Sequence, residues 1–280
     1  MRIYISADME GVTGLVDAHD VQPGGRDYEQ GRVMMTEDVN AAIRGALTGG
    51  ATEVTVNDAH GPMRNLLPEL LHPAAALIRG RPKPMGMVEG LTGEFDATVC
   101  IGFHARAGEL GVLSHSFMGR EIEDMWLDDR PAGEIGLVHA SAAAVGAPVI
   151  ALSGDEAACA EMAAWDPAVT AVPVKRASDR FAAELRPIAQ ARESIEHAVA
   201  SALGDAGRPP AHQARPGPDP RTLAIRWQSA SVPSILAGIP GVTLRDSRTA
   251  QVTGSMPDLF RLLSVFISVA VALTGNSAYC

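Results

Sequence analysis

The stretch IYISADMEGVTG, residues 3–14, joins a short apolar run to two carboxylates one residue apart. Residues Ile3 to Ala7 have the pattern of a buried β-strand, which runs directly into Asp8 and Glu10. Side chains two residues apart in a strand share a face, so we expect both carboxylates on one face. Two buried acids repel each other, and their burial is costly unless a cation lies between them. The stretch therefore predicts a buried strand whose carboxyl end holds a cation.

Three further apolar stretches end in Asp or His. They are EVTVNDAHG (53–61), ending at Asp58 and His60; ATVCIGFHA (97–105), ending at His104; and PVIALSGDE (148–156), ending at Asp155. Helices are predicted from Asp27 to Thr48, from Glu156 to Trp165 and from Pro187 to Leu203. The alternation predicts an α/β fold with a mainly parallel sheet flanked by helices. Ligands bind outside the carboxyl ends of the strands in such sheets, so we expect the site at that edge.

The last quarter of the chain has a different pattern. Residues 204–220 are rich in Pro, Gly and Ala and predict a linker or a long exposed loop. A strand from Leu223 to Trp227, a short helix, a hairpin around Asp246 and an apolar helix are predicted after it. We therefore expect two domains: residues 1–205, an α/β metal-binding catalytic domain, and residues 206–280, a smaller C-terminal α+β unit.

The composition is typical of a globular protein: 280 residues, 46% hydrophobic, 20% charged, with a net charge of −10. This acidic balance disfavours a nucleic-acid partner. The cysteines Cys100, Cys159 and Cys280 are widely spaced and predict neither a disulfide framework nor a cysteine-based zinc site. No signal peptide precedes the first strand, and the apolar segment from Leu259 to Leu273 is shorter than the ~20 residues of a membrane span. We expect a cytoplasmic protein with no membrane partner.

Five side chains near the predicted sheet edge have the chemistry of metal ligands. A hairpin predicted in EIEDMWLDDRPAGE (121–134), turning at Asp128 to Pro131, brings Glu134 to this edge. The full set is Asp8, Glu10, His60, His104 and Glu134. Three carboxylates and two imidazoles are donors that suit two divalent ions. Such ions lie about 3.5–4 Å apart and share an activated water, and Asp8 is best placed to bridge them.

Each of these residues alone also has a structural interpretation. Asp8 can cap a turn before Gly11, and His60 and His104 can be hydrogen-bonded core histidines. The sequence has no H-E-x-x-H motif, G-x-S-x-G elbow, Walker A loop or G-x-G-x-x-G motif, which leaves serine-hydrolase and nucleotide-binding functions without their usual support. The convergence of five residues on one edge favours the metal site. His115 is open to three roles: a sixth ligand, an acid–base group or a structural histidine.

The motifs SADMEGVTG, NDAHG, GFHA, LSHSF and GEIG occur in this order along the chain. In this order they resemble the motifs of bacterial D-aminopeptidases of the dipeptide-transport type, which are binuclear zinc metallopeptidases. The resemblance runs from residue 1 to the final helix. It implies that the five candidate ligands bind two zinc ions (Zn²⁺) per chain and that His115 is the catalytic histidine. It also implies a ring-like homodecamer whose active sites face an internal chamber.

Two positions depart from the family pattern. After GEIGL the family usually continues with Asn-Ala, where this chain has Val138 and His139, and Glu156 replaces a second Asp after SGD. Neither position is a proposed ligand, so the departures bear on substrate preference more than on metal binding. We expect hydrolysis of the N-terminal peptide bond of short peptides, with a D-residue first, as in D-Ala-D-Ala. Two alternatives stay open: a binuclear-metal amidase or hydrolase of another small amide or ester, and a non-enzymatic peptide-binding protein linked to transport.

Overall fold

The computed structural model describes residues 1–204 and 219–275, which form two sheets and the helices around them. The strands in chain order are β1 (Arg2–Ala7), β2 (Glu53–Asp58), β3 (Ala75–Ile78), β4 (Ala97–Phe103), β5 (Ile122–Leu127), β6 (Arg130–Pro131), β7 (Val149–Asp155), β8 (Thr170–Asp179), β9 (Ala182–Leu185), β10 (Arg221–Trp227), β11 (Thr243–Asp246) and β12 (Thr249–Gly254). The helices are α1 (Ala18–Val21), α2 (Tyr28–Thr48), α3 (Glu134–Ala144), α4 (Glu156–Trp165), α5 (Ile188–Ala202), α6 (Ser231–Leu236) and α7 (Met256–Thr274).

Sheet A has the strand order β3-β2-β1-β4-β7-β8-β9 and is parallel except for the final β8–β9 pair. The chain starts in β1, adds β2 and β3 on one side, and then adds β4, β7 and β8 on the other. Ile3, Tyr4 and Ile5 of β1 are all fully buried, because a central parallel strand is covered on both faces. The predicted α/β fold with a mainly parallel sheet is confirmed. The topological switch lies between β1 and β4, where such folds bind their ligands.

Sheet B is antiparallel, with the order β11-β12-β10-β5-β6. The predicted hairpin at residues 121–134 is present as β5 and β6, and β5 pairs with β10 from the C-terminal part of the chain. Sheet B therefore takes strands from both sides of the predicted boundary between residues 205 and 206. That boundary and nearly all of the predicted linker lie outside the described residues, so the division into two domains stays a prediction.

Helices cover both faces of sheet A. Helices α2 and α5 pack together on one face, and α3 and α4 lie on the other, where they share a core with sheet B and α7. Helix α4 begins as predicted, with the Asp155 carboxylate accepting the Ala158 N–H at 2.8 Å as an N-cap. Helix α5 buries Ile195 and Val199, and Leu203 is buried directly after its end. Ile188 is exposed, because the packed row begins one turn later, at Ala191.

Helix α7 spans 19 residues, more than the predicted apolar segment, and its mean hydropathy of 1.8 would allow a membrane span by length and composition alone. It is the one such helix in the described ranges. One such helix is weak evidence of a membrane span, since core helices of globular proteins meet the same criterion. The expectation that this segment is too short to span a membrane is therefore wrong. Leu259, Phe260, Leu263 and Phe266 of α7 are buried in the core shared with sheet B, so the helix packs as part of the fold.

Candidate metal centre

The strand ends bring the five predicted ligands into one buried cluster. Asp8 and Glu10 follow β1, His60 follows β2, His104 follows β4, and Glu134 is the first residue of α3. None of the five is more than 6% exposed. They meet at the switch point of sheet A, as the strand pattern predicts. The hairpin alone does not place Glu134: its helix, which the sequence analysis did not predict, fixes the residue against the sheet.

His60 contacts both carboxylates of the β1 end. Its Nδ1 lies 3.0 Å from Oε2 of Glu10 and 3.3 Å from Oδ1 of Asp8. Its Nε2 lies 2.9 Å from the carbonyl oxygen of Val21, which can only accept, so Nε2 carries the proton of the neutral ring. The Val21 carbonyl therefore fixes the tautomer in which the Nδ1 lone pair faces the two acids.

His104 forms the other half of the cluster. Its Nε2 lies 3.4 Å from Oδ2 of Asp8 and 3.4 Å from Oε1 of Glu134. Its Nδ1 donates to the carbonyl of Ala105 at 3.0 Å, which leaves the Nε2 lone pair facing the acids. Oε1 of Glu134 also accepts the Phe117 N–H at 2.7 Å, which holds this carboxylate in place.

Two buried atoms in the cluster have no hydrogen-bond partner among the described residues: Oδ2 of Asp8 and Nε2 of His104. Buried polar atoms are nearly always satisfied, so this facing pair needs a partner of another kind. Three sets of potential ligand atoms lie within 4.8 Å of one another: Asp8, Glu10 and His60; Asp8, His104 and Glu134; and Glu10, His104 and His115. Asp8 belongs to the first two sets. The donor types, the unsatisfied atoms and the shared carboxylate all fit divalent metal ions.

His115 lies directly against the cluster. Its ring stacks on that of His104, with centroids 4.2 Å apart and planes within 8°. Its Nδ1 donates to the Leu113 carbonyl at 2.9 Å, and its Nε2 lies 3.9 Å from Oε1 of Glu134. The neutral ring therefore keeps a lone pair on the nitrogen nearest the acids. This position suits proton transfer or nucleophilic attack, and it also suits a ligand role.

The electrostatics of the cluster favour opposite charges on its acids and imidazoles. Burial, followed by repulsion from Glu10, raises the pKa of Asp8 to about 7. Burial alone would raise the pKa values of Glu10 and Glu134, but the adjacent imidazoles hold both below their ordinary range. Burial opposes protonation of His60 and His104, yet the carboxylates raise both pKa values well above the usual 6.5. Without a metal the two imidazoles therefore hold protons at neutral pH.

His115 differs from the other two histidines. Burial, and then the positive charge of the neighbouring His104, lowers the pKa of His115 to about 4. Its ring is therefore neutral at physiological pH, in contrast to the two imidazoles that face carboxylates directly.

The loop after β1 is held by a lysine that the sequence analysis missed. Lys175, on β8, is 1% exposed, and its Nζ donates to the carbonyls of Glu10 at 2.6 Å, Val12 at 2.8 Å and Leu15 at 2.5 Å. These bonds use all three ammonium protons. The lysine thereby fixes the backbone that carries Glu10. In the sequence, Lys175 stands out only as a charged residue beside apolar residues, and the strand that contains them was not predicted.

Gly11 allows the same loop to pass close to β4. A Cβ at this position would lie 1.9 Å from the carbonyl oxygen of Phe103, so no other residue fits. The structural alternative for Asp8 was a cap on a turn before Gly11; here the Gly11 N–H donates to the Gly102 carbonyl, so the backbone continues to pair with β4. The glycine therefore brings the Asp8–Glu10 segment against the strand that leads to His104.

Asp58 was not among the predicted ligands, and it has a structural role. Its carboxylate accepts the backbone N–H groups of Asn65 and Leu66 at 2.6 and 2.8 Å and the Asn65 side-chain amide at 2.8 Å. These bonds close the loop that carries His60, whose side chain is oriented by Val21 and the acids. Asp58 therefore supports the site indirectly, by holding the loop that carries His60.

A cavity of about 200 Å³ opens onto the cluster. It is lined by residues of the cluster, including Asp8, Glu10 and His115, and by side chains of α7, including Leu263 and Ile267. The cavity thus combines acidic and imidazole groups with apolar side chains. A small ligand with both a polar and an apolar part fits this arrangement.

Comparisons with known proteins agree with this architecture. A sequence model of the family described as D-aminopeptidase matches residues 1–265. A D-aminopeptidase of Bacillus subtilis (strain 168) is 42% identical over 203 residues, which cover 72% of this chain and 74% of that protein. The solved structure of the Zn-dependent D-aminopeptidase DppA from Bacillus subtilis, a self-compartmentalizing protease, superposes with a TM-score of 0.89 at 35% identity and covers 97% of this chain and 98% of that one. The resemblance seen in the motifs is confirmed, and the chain belongs to the D-aminopeptidase family.

Proposed function

We propose that this protein is a zinc-dependent aminopeptidase that hydrolyses the N-terminal peptide bond of short peptides beginning with a D-residue, such as D-Ala-D-Ala. The observation that carries the proposal is the pair of ligand sets that share Asp8 at the switch point of sheet A. The D-residue preference rests on the family and on the names of the two relatives.

We propose that two zinc ions bind per chain. His60, Glu10 and Asp8 would hold one ion, and His104, Glu134 and Asp8 the other, so that Asp8 bridges them. When bound, the ions supply Lewis acidity for the scissile carbonyl and acidify the attacking water. The carbonyls of Val21 and Ala105 keep the two imidazoles in the tautomers that ligation requires.

His115 is the proposed catalytic residue. Its Nδ1–H is bound to the Leu113 carbonyl, so its Nε2 can take a proton from the nucleophile and return it to the departing amine. The stacked ring of His104 and the nearby Glu134 keep it beside the proposed ligands, where it lines the cavity.

A substrate panel tests the proposed activity. Zinc-loaded protein is assayed with D-Ala-D-Ala, L-Ala-L-Ala and N-acetyl-D-Ala-D-Ala, and released alanine is measured by chiral chromatography. We expect cleavage of the first peptide, much slower cleavage of the second and none of the third, which lacks a free amine. Equal cleavage of the blocked peptide would indicate a general amidase, and binding without cleavage of any peptide would indicate a peptide-binding protein.

We further propose that copies of the chain assemble into the homodecamer implied by the resemblance, in the cytoplasm. The related DppA is described as self-compartmentalizing, and the TM-score of 0.89 extends over nearly the whole chain. Cys100 and Cys159 are buried free thiols, as a reducing compartment favours. Light scattering coupled to size-exclusion chromatography should give about ten times the 29.3 kDa chain mass. A monomer at assay concentration would contradict the assembly.

A further inference from the structure

The cavity beside the metal centre has two cationic side chains besides the histidines, Arg81 and Lys83. Lys83 is buried, and its Nζ donates to Asn57 Oδ1 and the Asp58 carbonyl, both at 2.7 Å, and to the Ile78 carbonyl at 3.1 Å. These bonds use all three ammonium protons. Lys83 therefore ties the segment that follows β3 to the ends of β2 and β3, and it has no donor left for a ligand.

Arg81 lines the same cavity with most of its donors available. Its Nη1 donates to the Gly61 carbonyl at 3.2 Å, which holds the guanidinium next to the His60 loop. Its side chain is exposed, and within residues 1–204 and 219–275 no carboxylate forms an ion pair with it. A guanidinium has five N–H donors in a planar fork that matches a carboxylate. One bond to Gly61 leaves the rest of that fork for a ligand.

A short peptide has a free carboxylate at its C-terminal end, and the cavity brings a guanidinium together with the candidate metal ligands. Asp8, Glu10 and Glu134 line the cavity together with Arg81, and in the zinc-loaded protein they would hold the ions that polarise the scissile carbonyl. The guanidinium of Arg81 offers this cavity a positive charge, in a protein whose net charge of −10 otherwise repels anions. In a dipeptide the free carboxylate lies one residue beyond the scissile carbonyl, at most about 3.6 Å along the chain.

We infer that Arg81 binds the free C-terminal carboxylate of the substrate and makes the enzyme selective for very short peptides with an unblocked carboxyl end. This inference rests on the proposed aminopeptidase function. The anchor favours dipeptides, because each added residue moves the carboxylate away from the guanidinium. A C-terminal carboxamide removes the charge that the guanidinium recognises.

The test compares D-Ala-D-Ala with its C-terminal amide in zinc-loaded wild-type protein and in Arg81→Gln. We expect the wild type to show a kcat/KM about tenfold higher for the free acid, as a charge-assisted contact predicts. Arg81→Gln should lose that preference through a higher KM for the acid, with the amide unchanged, and Arg81→Lys should restore part of it. Arg79→Gln is the matched control, since Arg79 is also exposed and cationic but does not line the cavity.

Direct binding separates this inference from the proposed function. The probe is the D-Ala-D-Ala analogue in which a methylene replaces the scissile carbonyl, with a free or an amidated carboxyl end, and its Kd is measured by calorimetry. We expect the free acid to bind about tenfold tighter than the amide in the wild type and Arg79→Gln, and equally in Arg81→Gln. An unchanged acid-to-amide ratio in Arg81→Gln would overturn the role of Arg81. If the proteins show the expected Kd ratios but the wild type does not cleave D-Ala-D-Ala, the proposed peptidase function is overturned instead.

Discussion

Oδ2 of Asp8 and Nε2 of His104 face each other at 3.4 Å, both buried, and neither is hydrogen-bonded within the part of the chain that the structure describes. Oδ1 of the same aspartate faces His60 at 3.3 Å. One carboxylate thus lies between the two imidazoles of the cluster. A bridging role for Asp8 accounts for this geometry, because each oxygen would then serve one ion.

Asp8→Asn should therefore lose more metal than any other single substitution in the cluster. The amide keeps the shape of the side chain but removes its charge and one ligand oxygen, so we expect less than one zinc ion per chain and an activity loss of at least about 100-fold. Mass spectrometry of the purified protein measures the metal content. His139→Ala is the control, because His139 contacts Asp166 outside the cluster. An Asp8→Asn protein with full metal content would contradict the bridge.

His115→Ala should separate catalysis from metal binding. The proposed ligands remain, so zinc content should stay at the wild-type value, whereas turnover should fall by about 10²- to 10⁴-fold with loss of proton transfer. Metal analysis and the peptide assay are made on the same sample. Loss of metal together with activity would show that His115 is a ligand, and full activity would show that it has no role in the reaction.

Zinc binding should release protons and weaken as the pH falls. In the metal-free protein the pKa values of His60 and His104 are raised well above 6.5, and the pKa of Asp8 is about 7, so protons occupy ligand atoms at neutral pH. The metal must displace these protons. For each displaced proton, the affinity for zinc falls about tenfold with every unit by which the pH is lowered. Between pH 8 and 6 we therefore expect the zinc Kd to rise by at least about 100-fold. Calorimetry in buffers of different ionisation enthalpy measures the proton count, and a Kd independent of pH would exclude this account.

Lys175→Met should loosen the loop that carries Glu10. The substitution leaves three buried carbonyls without their donor, which destabilises the fold by about 2–4 kcal/mol. Because Glu10 is a proposed ligand, zinc affinity should fall as well. Thermal unfolding and zinc titration give the two readouts. Arg176→Met, which changes the neighbouring exposed cation, should affect neither, and a Lys175→Met protein with wild-type zinc affinity would show that the lysine serves stability alone.

The sequence could predict the sheet edge because the information there is local. Each apolar run before Asp8, Asp58, His104 and Asp155 is a strand in its own right, and parallel strands must align their carboxyl ends. The strands β8 and β9 were missed because their residues are mostly half-buried or exposed and show no clear alternation.

The supporting contacts of the site could not be predicted, for a different reason. The bond from Lys175 to Glu10 joins residues 165 positions apart, and the bond from His60 to Val21 uses a backbone carbonyl that any residue would supply. Neither contact leaves a pattern in the sequence. The helix that carries Glu134 was missed because its Gly- and Ala-rich residues are buried nearly all round and show no amphipathic stripe.

The central claim is tested most directly by counting metal ions in the purified protein and measuring D-Ala release from D-Ala-D-Ala before and after chelation. Two zinc ions per chain, with turnover that chelation abolishes and added zinc restores, is the predicted result. A protein that binds no metal in the presence of zinc, or whose turnover is unchanged by complete metal removal, would contradict the account.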